Sequence, residues 1–308
     1  TVAHSAWLPL CSRQMTTVLI VLAVAACYQV AVLLVVLVGW RNPRVRHRRD
    51  PAALGLAFET VRIPASGGKT LHGWWIPSGA AHAPCLVLVH GWGRNVERVL
   101  PYVELLHPAG FDLVAFDARH HGSSDGDGYA SMPKFSEDIR SVVDYLDRRR
   151  ETPGPLRVGV LGLSVGGSAA IHAAACDPRI AAVATVGAFA DPADPRATIG
   201  RYWWLLGPGL PLAFRFVEWR VGLRFRSVAP EKVIARARAR FLLIHGTDDV
   251  VVPVAHARRL AWAAGASART WILPGRGHSD PHRESAMAAT LGAFFAEALA
   301  APGGARPA

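Results

Sequence analysis

The chain has 308 residues, 51% of them hydrophobic and 19% charged, with a formal net charge of +11. That balance excludes a disordered chain, which needs more charge and less apolar content, and the length suits one large α/β domain or two small ones. The basic excess does not point to nucleic acid, because its arginines are not interleaved with aromatics in any nucleic-acid-binding motif.

The first 50 residues read as an N-terminal segment. Val18 to Val38 contains no charged residue and is interrupted only mildly, by Tyr28 and Gln29. Such a run crosses a hydrocarbon core of about 30 Å as a helix, and a transmembrane helix is expected at about 17–40. Arg41, Arg44, Arg46, Arg48 and Arg49 follow it, and only Arg13 precedes it. This asymmetry predicts a single-pass membrane protein with its C-terminal domain in the cytoplasm, the arginines lying against anionic lipid head groups. A cleaved signal peptide fits worse, since the run is too long and no small-x-small site precedes the arginines. The lipobox-like Val24-Ala25-Ala26-Cys27 is followed by more apolar chain, where a lipoprotein turns polar. The four cysteines (Cys11, Cys27, Cys85, Cys176) form no C-x-x-C and are expected to be buried reduced thiols.

From 51 to 301 strand and helix patterns alternate. Strands are expected at 57–63 and 70–77, joined by a turn at Ser66-Gly67-Gly68, then at 85–90, 111–117, 156–161, 180–186, 241–245 and 270–273. Helices are expected at 96–107, 135–150, after Ser164, at 254–264 and at about 283–300. The unbroken apolar runs imply strands buried on both faces, hence an eight-stranded, mostly parallel sheet with helices on both sides. Regularity breaks at about 187–226, a stretch with prolines, Trp203-Trp204, Trp219 and many arginines. It is expected to be a small cap over the carboxyl ends of the strands, where pockets form in such sheets. The tail 302–308 is expected to be disordered.

The chemistry centres on Gly162-Leu163-Ser164-Val165-Gly166, a G-x-S-x-G core between a strand and a small-residue helix. The glycines permit a sharp turn that lifts the serine hydroxyl clear of the sheet. A serine nucleophile needs a base, a carboxylate to orient the base, and donors for the oxyanion. His90-Gly91-Trp92-Gly93 follows a strand and offers the Trp92 N–H; Val165, next after the serine, offers the second. Asp248 and Asp249, in the loop after the strand at 241–245, are both candidate acids, and one of them is expected to cap the helix near Pro253. Among 13 histidines, His278 lies in a glycine-rich loop after the last strand and is the candidate base, with His282 close behind. His172 reads as a core residue, and His120 and His121 as structural turn residues.

These segments, with Asp117-Ala118-Arg119-His120-His121-Gly122-Ser123-Ser124 and His245-Gly246-Thr247-Asp248-Asp249-Val250-Val251-Val252-Pro253, resemble the α/β-hydrolase superfamily, in its esterase/lipase and serine-aminopeptidase-like branch with a membrane-anchored N-terminus. The likeness runs from about Phe58 to Leu299. It implies the α/β-hydrolase fold, Ser164 as nucleophile, Asp249 as acid and His278 as base, in the family's order. His120 departs from the family's usual glycine in a non-catalytic turn.

Two rival motifs fail. Gly91-x-Gly93 imitates a dinucleotide fingerprint but lacks the third glycine near Val96. The loop 120–127 has ligand residue types without a metal-site spacing, and a serine mechanism needs neither metal nor cofactor. The expectation is therefore a serine hydrolase for a small-molecule ester or acyl substrate. Trp203, Trp204 and Phe214 near a bilayer suggest a lipophilic one. Peptidase or acyltransferase chemistry would use the same triad, and a non-catalytic scaffold would lack one of its members.

Overall fold

The computed structural model describes residues 7–40, 42, 44–150, 154–194 and 203–300. Arg41, part of the expected cap and the tail 302–308 lie outside the described residues.

The described chain divides into two compact units. The larger one carries the eight-stranded sheet: β1 (Glu59–Ala65), β2 (Lys69–Ile76), β3 (Cys85–Val89), β4 (Asp112–Phe116), β5 (Val158–Leu163), β6 (Ile180–Val186), β7 (Arg240–Gly246) and β8 (Ala268–Leu273). Their order across the sheet is β1-β2-β4-β3-β5-β6-β7-β8. The turn at Ser66–Gly68 makes β1 and β2 an antiparallel hairpin, and β2 also runs antiparallel to β4; every later pairing is parallel. Val87 of β3 pairs with Val114 of β4 on one side and Val160 of β5 on the other, so β3 and β5 are central. Leu86, Val87, Leu88, Val89, Val160 and Leu161 are buried on alternate faces, which explains the continuous apolar runs.

The helices that cover the sheet include α2 (Leu100–Leu106), α3 (Met132–Arg149) and α4 (Val165–Cys176), and later in the chain those at Ala255–Ala264 and Met287–Ala300; the long N-terminal helix is α1 (Trp7–Gly39). The helix expected at 96–107 splits: a 3₁₀ turn at Val96–Val99 is capped by the Asn95 side chain, which accepts from Glu97 N, and the α-helical part opens with Pro101 in its first turn. Helix α3 begins on the Ser131 cap and buries Phe135, Ile139, Val142 and Leu146 at helical spacing. Cys85 is half-buried, its thiol pushed up to about 12 by burial and the nearby Asp112, whereas Cys27 and Cys176 are exposed, against the expectation of buried thiols.

The basic flank after α1 packs in the sheet unit instead of forming a free linker. The Asn42 amide donates to His120 O (3.2 Å), Asn95 Nδ2 donates to Val45 O (3.1 Å), and Arg48 N donates to Glu97 Oε2 (2.9 Å).

The smaller unit consists of α1 with residues 203–223, which hold α5 (Trp203–Leu206) and α6 (Leu210–Val221). The middle of the expected cap thus forms one unit with the N-terminal helix. The part of α1 from Gln14 to Gly39 is long and apolar enough to cross a membrane, with a mean hydropathy of 2.8, and only 6% of its most apolar stretch is buried.

Candidate active site

Ser164 stands between β5 and α4 with φ 53° and ψ −121°. Only three described non-glycine residues have positive φ, and strain of this kind clusters at functional sites. The fold holds that strain from both sides. Ser164 N donates to Val186 O at the end of β6 (2.8 Å), and Ser164 O accepts from Gly167 N and Ser168 N (2.9 and 3.1 Å). A Cβ at Gly162 would collide with the backbone of Gly166, and one at Gly166 with the carbonyl of His90, so both flanking glycines are required by contact. The hydroxyl of Ser164 makes no hydrogen bond among the described residues. Val165 opens α4, so its N–H is one of those without an intrahelical acceptor.

The candidate acid and base meet across the loops after β7 and β8. His278 Nδ1 lies 2.6 Å from Asp249 Oδ2, so Nδ1–H donates to the carboxylate and Nε2 is left with its lone pair. The other oxygen, Oδ1, accepts from Val251 N (2.9 Å) and Val252 N (2.7 Å). Burial alone would raise the Asp249 pKa, but bonds from His245 and His278 and from backbone N–H hold it well below the usual carboxylate range. His245 Nε2 donates to Val252 O (2.7 Å) and stands 3.3 Å from Asp249 Oδ2, so it braces the loop from beneath.

Asp248 is exposed. Its carboxylate accepts from its neighbour Thr247 Oγ1 (2.7 Å) and does not reach the base. The sequence left both aspartates open and expected them to divide capping and orienting. In the structure Asp249 does both: it caps the turn at Val251–Val252 and holds His278. His282 instead meets Tyr102 edge-on, 5.9 Å between centroids, and His172 Nδ1 bonds Ser136 Oγ (2.9 Å), so neither approaches the dyad.

Gly187 ties serine and base to one short segment. It follows Val186, which anchors Ser164, and it adopts φ +67°. A Cβ there would lie 3.0 Å from His278 Nδ1 and 3.3 Å from Asp249 Oδ2. In the sequence this residue marks only the place where regularity ends.

The loop carrying Trp92 is held by two neutral histidines. His90 is fully buried, its Nδ1–H donates to Gly91 O (2.7 Å), and its Nε2 accepts from Ala118 N (3.0 Å). His121 Nδ1–H donates to Arg119 O (3.0 Å), and its Nε2 accepts from Gly93 N (3.3 Å). Burial, reinforced by the neighbouring His90, lowers His121 to about 3, and burial also lowers His90. Both rings therefore work as one donor and one acceptor, pinning the His90–Gly93 loop to the 117–121 turn. Gly91 passes close to Ser164: a Cβ there would sit 3.4 Å from that of the serine.

Asp117 supports the same turn. Its carboxylate accepts from Val96 N (2.7 Å), Ser123 N (2.8 Å) and His47 Nε2 (2.7 Å). Burial opposes ionisation, but His47 and the other donors win and keep it ionised, while His47 is raised in return. His47, His72 and Asp117 offer ligand atoms within 4.8 Å of one another. The bonds already made to Asp117 and the stacking of the two imidazoles (4.9 Å) account for the group as an ion pair with a packed neighbour. In the 120–127 loop, Asp127 pairs with Lys134 (2.8 Å) and Arg119 (3.3 Å), and the Asp125 carboxylate accepts from Thr70 N, as a structural turn requires.

The chain is similar to known proteins in the same terms. Residues 80–219 match the family model described as serine aminopeptidase, S33. The uncharacterized protein YfhR of Salmonella typhi is 28% identical over 237 residues, covering 72% of this chain and 75% of that protein. The thiohydrolase aneE of Aspergillus aculeatus is 34% identical over 115 residues, 35% of each chain. The esterase Pf2001 of Pyrococcus furiosus superposes with a TM-score of 0.68 at 20% identity, over 84% of this chain and 99% of that one, and so shares its fold. Sheet order, the strained turn after β5 and these similarities agree: the chain has the α/β-hydrolase fold, and its residues 80–219 are similar to the serine aminopeptidase family.

Proposed function

We propose that the protein is a membrane-anchored serine hydrolase that cleaves a carboxylic ester through an acyl-enzyme. The observation that carries the reading is the 2.6 Å Asp249–His278 pair, placed against the same Gly187 segment whose neighbour Val186 anchors the strained Ser164. The missing serine–histidine hydrogen bond is compatible with it, because such bonds often tighten only when substrate binds.

In this mechanism His278 Nε2 takes the Ser164 proton as Oγ attacks the carbonyl carbon, and the carbonyl π pair moves onto oxygen. The N–H groups of Trp92 and Val165 receive that oxyanion, a preorganised pair whose individual members are worth about 2.7–4 kcal/mol in such sites. Collapse expels the alcohol, which takes the proton from His278. Water then gives its proton to His278, attacks the acyl carbon, and Ser164 leaves with that proton restored. Asp249 keeps the imidazole in the required tautomer and stabilises its cation.

A fluorophosphonate probe tests the nucleophile. The wild type should be labelled and Ser164→Ala should not; an unlabelled wild type would support a non-catalytic scaffold instead. The lipophilic preference rests on the apolar α1 and the aromatic α5–α6 segment. p-Nitrophenyl esters of rising chain length should turn over faster than aminoacyl amides. The family model's aminopeptidase description favours the second reading, a serine peptidase with the same triad, and faster amide turnover would establish it.

A further inference from the structure

Tyr28 and Gln29 are the polar interruptions of the apolar run from Val18 to Val38, and both place polar atoms on residues far along the chain. Tyr28 OH donates to Leu205 O (3.1 Å), and Gln29 Nε2 donates to Gly209 O (3.1 Å). Both acceptors lie at the break between α5 and α6, where a carbonyl lacks a helical partner. In water such groups need no protein donor; in hydrocarbon each must have one. Gly209 also packs tightly on the helix, for a Cβ there would lie 2.9 Å from Val32 Cγ2 and 3.1 Å from Gln29 Oε1. Small residues at a helix crossing are how membrane helices approach one another.

The rest of the segment is built for lipid. Leu212, Phe216 and Trp219 recur at i, i+4 and i+7 on one face of α6 and are 61%, 38% and 75% exposed, with Trp204 and Leu205 at 62% and 51%. Their exposed surface continues that of α1, across a groove lined by Leu33, Leu212, Phe216 and Trp219. A soluble surface rarely leaves so much aromatic and aliphatic area uncovered.

We propose that residues 203–223 form a re-entrant element that enters the bilayer beside α1 and leaves on the side it entered. The proposal rests on the reading of α1 as a membrane span. Chain connection sets the topology, since the sheet unit follows the C-terminal end of α1 and also receives both ends of 203–223. Depth follows from helix rise. Gln29 is nine residues before Val38, about 14 Å along the helix, which is near the middle of a core about 30 Å thick. Gly209 therefore sits near the midplane. Trp219, ten residues later and about 15 Å of rise away, reaches the interface, where tryptophan is preferred. Arg220 and Arg224 follow at headgroup level, and Arg215 reaches outward with its long side chain. The occupant of the exposed face is the acyl-chain region of the bilayer.

Site-specific labelling of the full chain in phosphatidylethanolamine–phosphatidylglycerol vesicles tests this. The native cysteines are replaced, and fluorophosphonate labelling checks that each variant is folded. An environment-sensitive fluorophore is placed in turn on Leu212→Cys, Phe216→Cys and Trp219→Cys. Val24→Cys on α1 and Trp262→Cys, 89% exposed on the sheet unit, are the references. Nitroxide lipids should quench residues 212 and 216, with mid-chain nitroxides most effective at 212 and shallow ones at 219. An aqueous quencher should act on 262 and leave 24, 212 and 216 untouched. Access of the aqueous quencher to 212 and 216, with 24 still quenched by lipid, overturns the re-entrant element and leaves the span intact. Protection of 212 and 216 from both quenchers also overturns it, in favour of a second copy covering that face. Aqueous quenching of 24 as well removes the span reading itself.

Discussion

The choice between two adjacent aspartates is decided by direction. Asp248 and Asp249 are chemically identical in the sequence, and both follow β7. Only Asp249 turns inward, because its Oδ1 accepts from Val251 N and Val252 N and leaves Oδ2 for His278. Asp249→Asn should therefore lower kcat by about 10⁴, the effect expected when the imidazole loses its orienting anion. Asp248→Asn should leave kcat within about twofold, since surface changes away from such features do little. Equal losses in ester-hydrolysis rate would show that the assignment is wrong. Gly187 makes a subtler case. An alanine there meets His278 Nδ1 at 3.0 Å and also needs a left-handed backbone, so the ring must shift. A displacement of about 1 Å is enough for a roughly 100-fold loss of kcat, and Gly187→Ala should show it with fluorophosphonate labelling slowed in parallel. Ser164, His278 and Asp249 were legible as candidates from motif and loop position, and the 2.6 Å His278–Asp249 contact brings two of them together. Gly187, His90 and His245 were not, because what each does depends on neighbours that only the folded sheet supplies.

Elements show a similar division between periodic pattern and tertiary context. All eight strands were readable from their apolar runs, and the ends differ from the structure by at most two residues, as expected where pairing and not composition ends a strand. The 96–107 helix was readable as a helix but not as a 3₁₀ turn joined to an α-helix, since the Asn95 cap and Pro101 act locally. The turn after β4 carries a pH consequence. His121 is held near 3 by burial while an unfolded imidazole titrates near 6.5. The folded pKa is the lower one, so the unfolded chain binds the extra proton between these values, and stability present above about 6.5 is lost as pH falls toward 3. Between pH 7 and pH 5 this amounts to about 2 kcal/mol. Thermal unfolding should show that loss, and His121→Gln should flatten the slope. Asp249 acts lower: its depressed pKa gives stability above the ordinary carboxylate range of about 3.9 that disappears only in stronger acid. An unchanged melting temperature from pH 7 to pH 5 would mean that His121 is not buried neutral.

At the scale of the whole molecule the sequence yields the apolar run but not its partner. Val18 to Val38 announces itself by composition, whereas its contacts with Leu205 and Gly209 come from a segment nearly two hundred residues later that reads as an irregular insertion. Charge predicts the orientation that hydropathy alone leaves open. Arg44, Arg46, Arg48 and Arg49 lie within about ten residues of the apolar run, the distance over which positive charge governs insertion. The flank cannot wander from the sheet unit, because Val45 O and Arg48 N are bonded to Asn95 and Glu97. If α1 spans a membrane, arginines and sheet unit must therefore occupy the same side, and the positive-inside bias predicts the cytoplasm. External protease added to intact spheroplasts should leave the sheet unit uncut, and the same protease after detergent should digest it. Replacing these four arginines with neutral glutamine should raise the externally digested fraction, because the bias that retains them is gone. Complete digestion of the unmodified protein from outside would reverse the topology while leaving the triad chemistry untouched, since none of its bonds involves the flank.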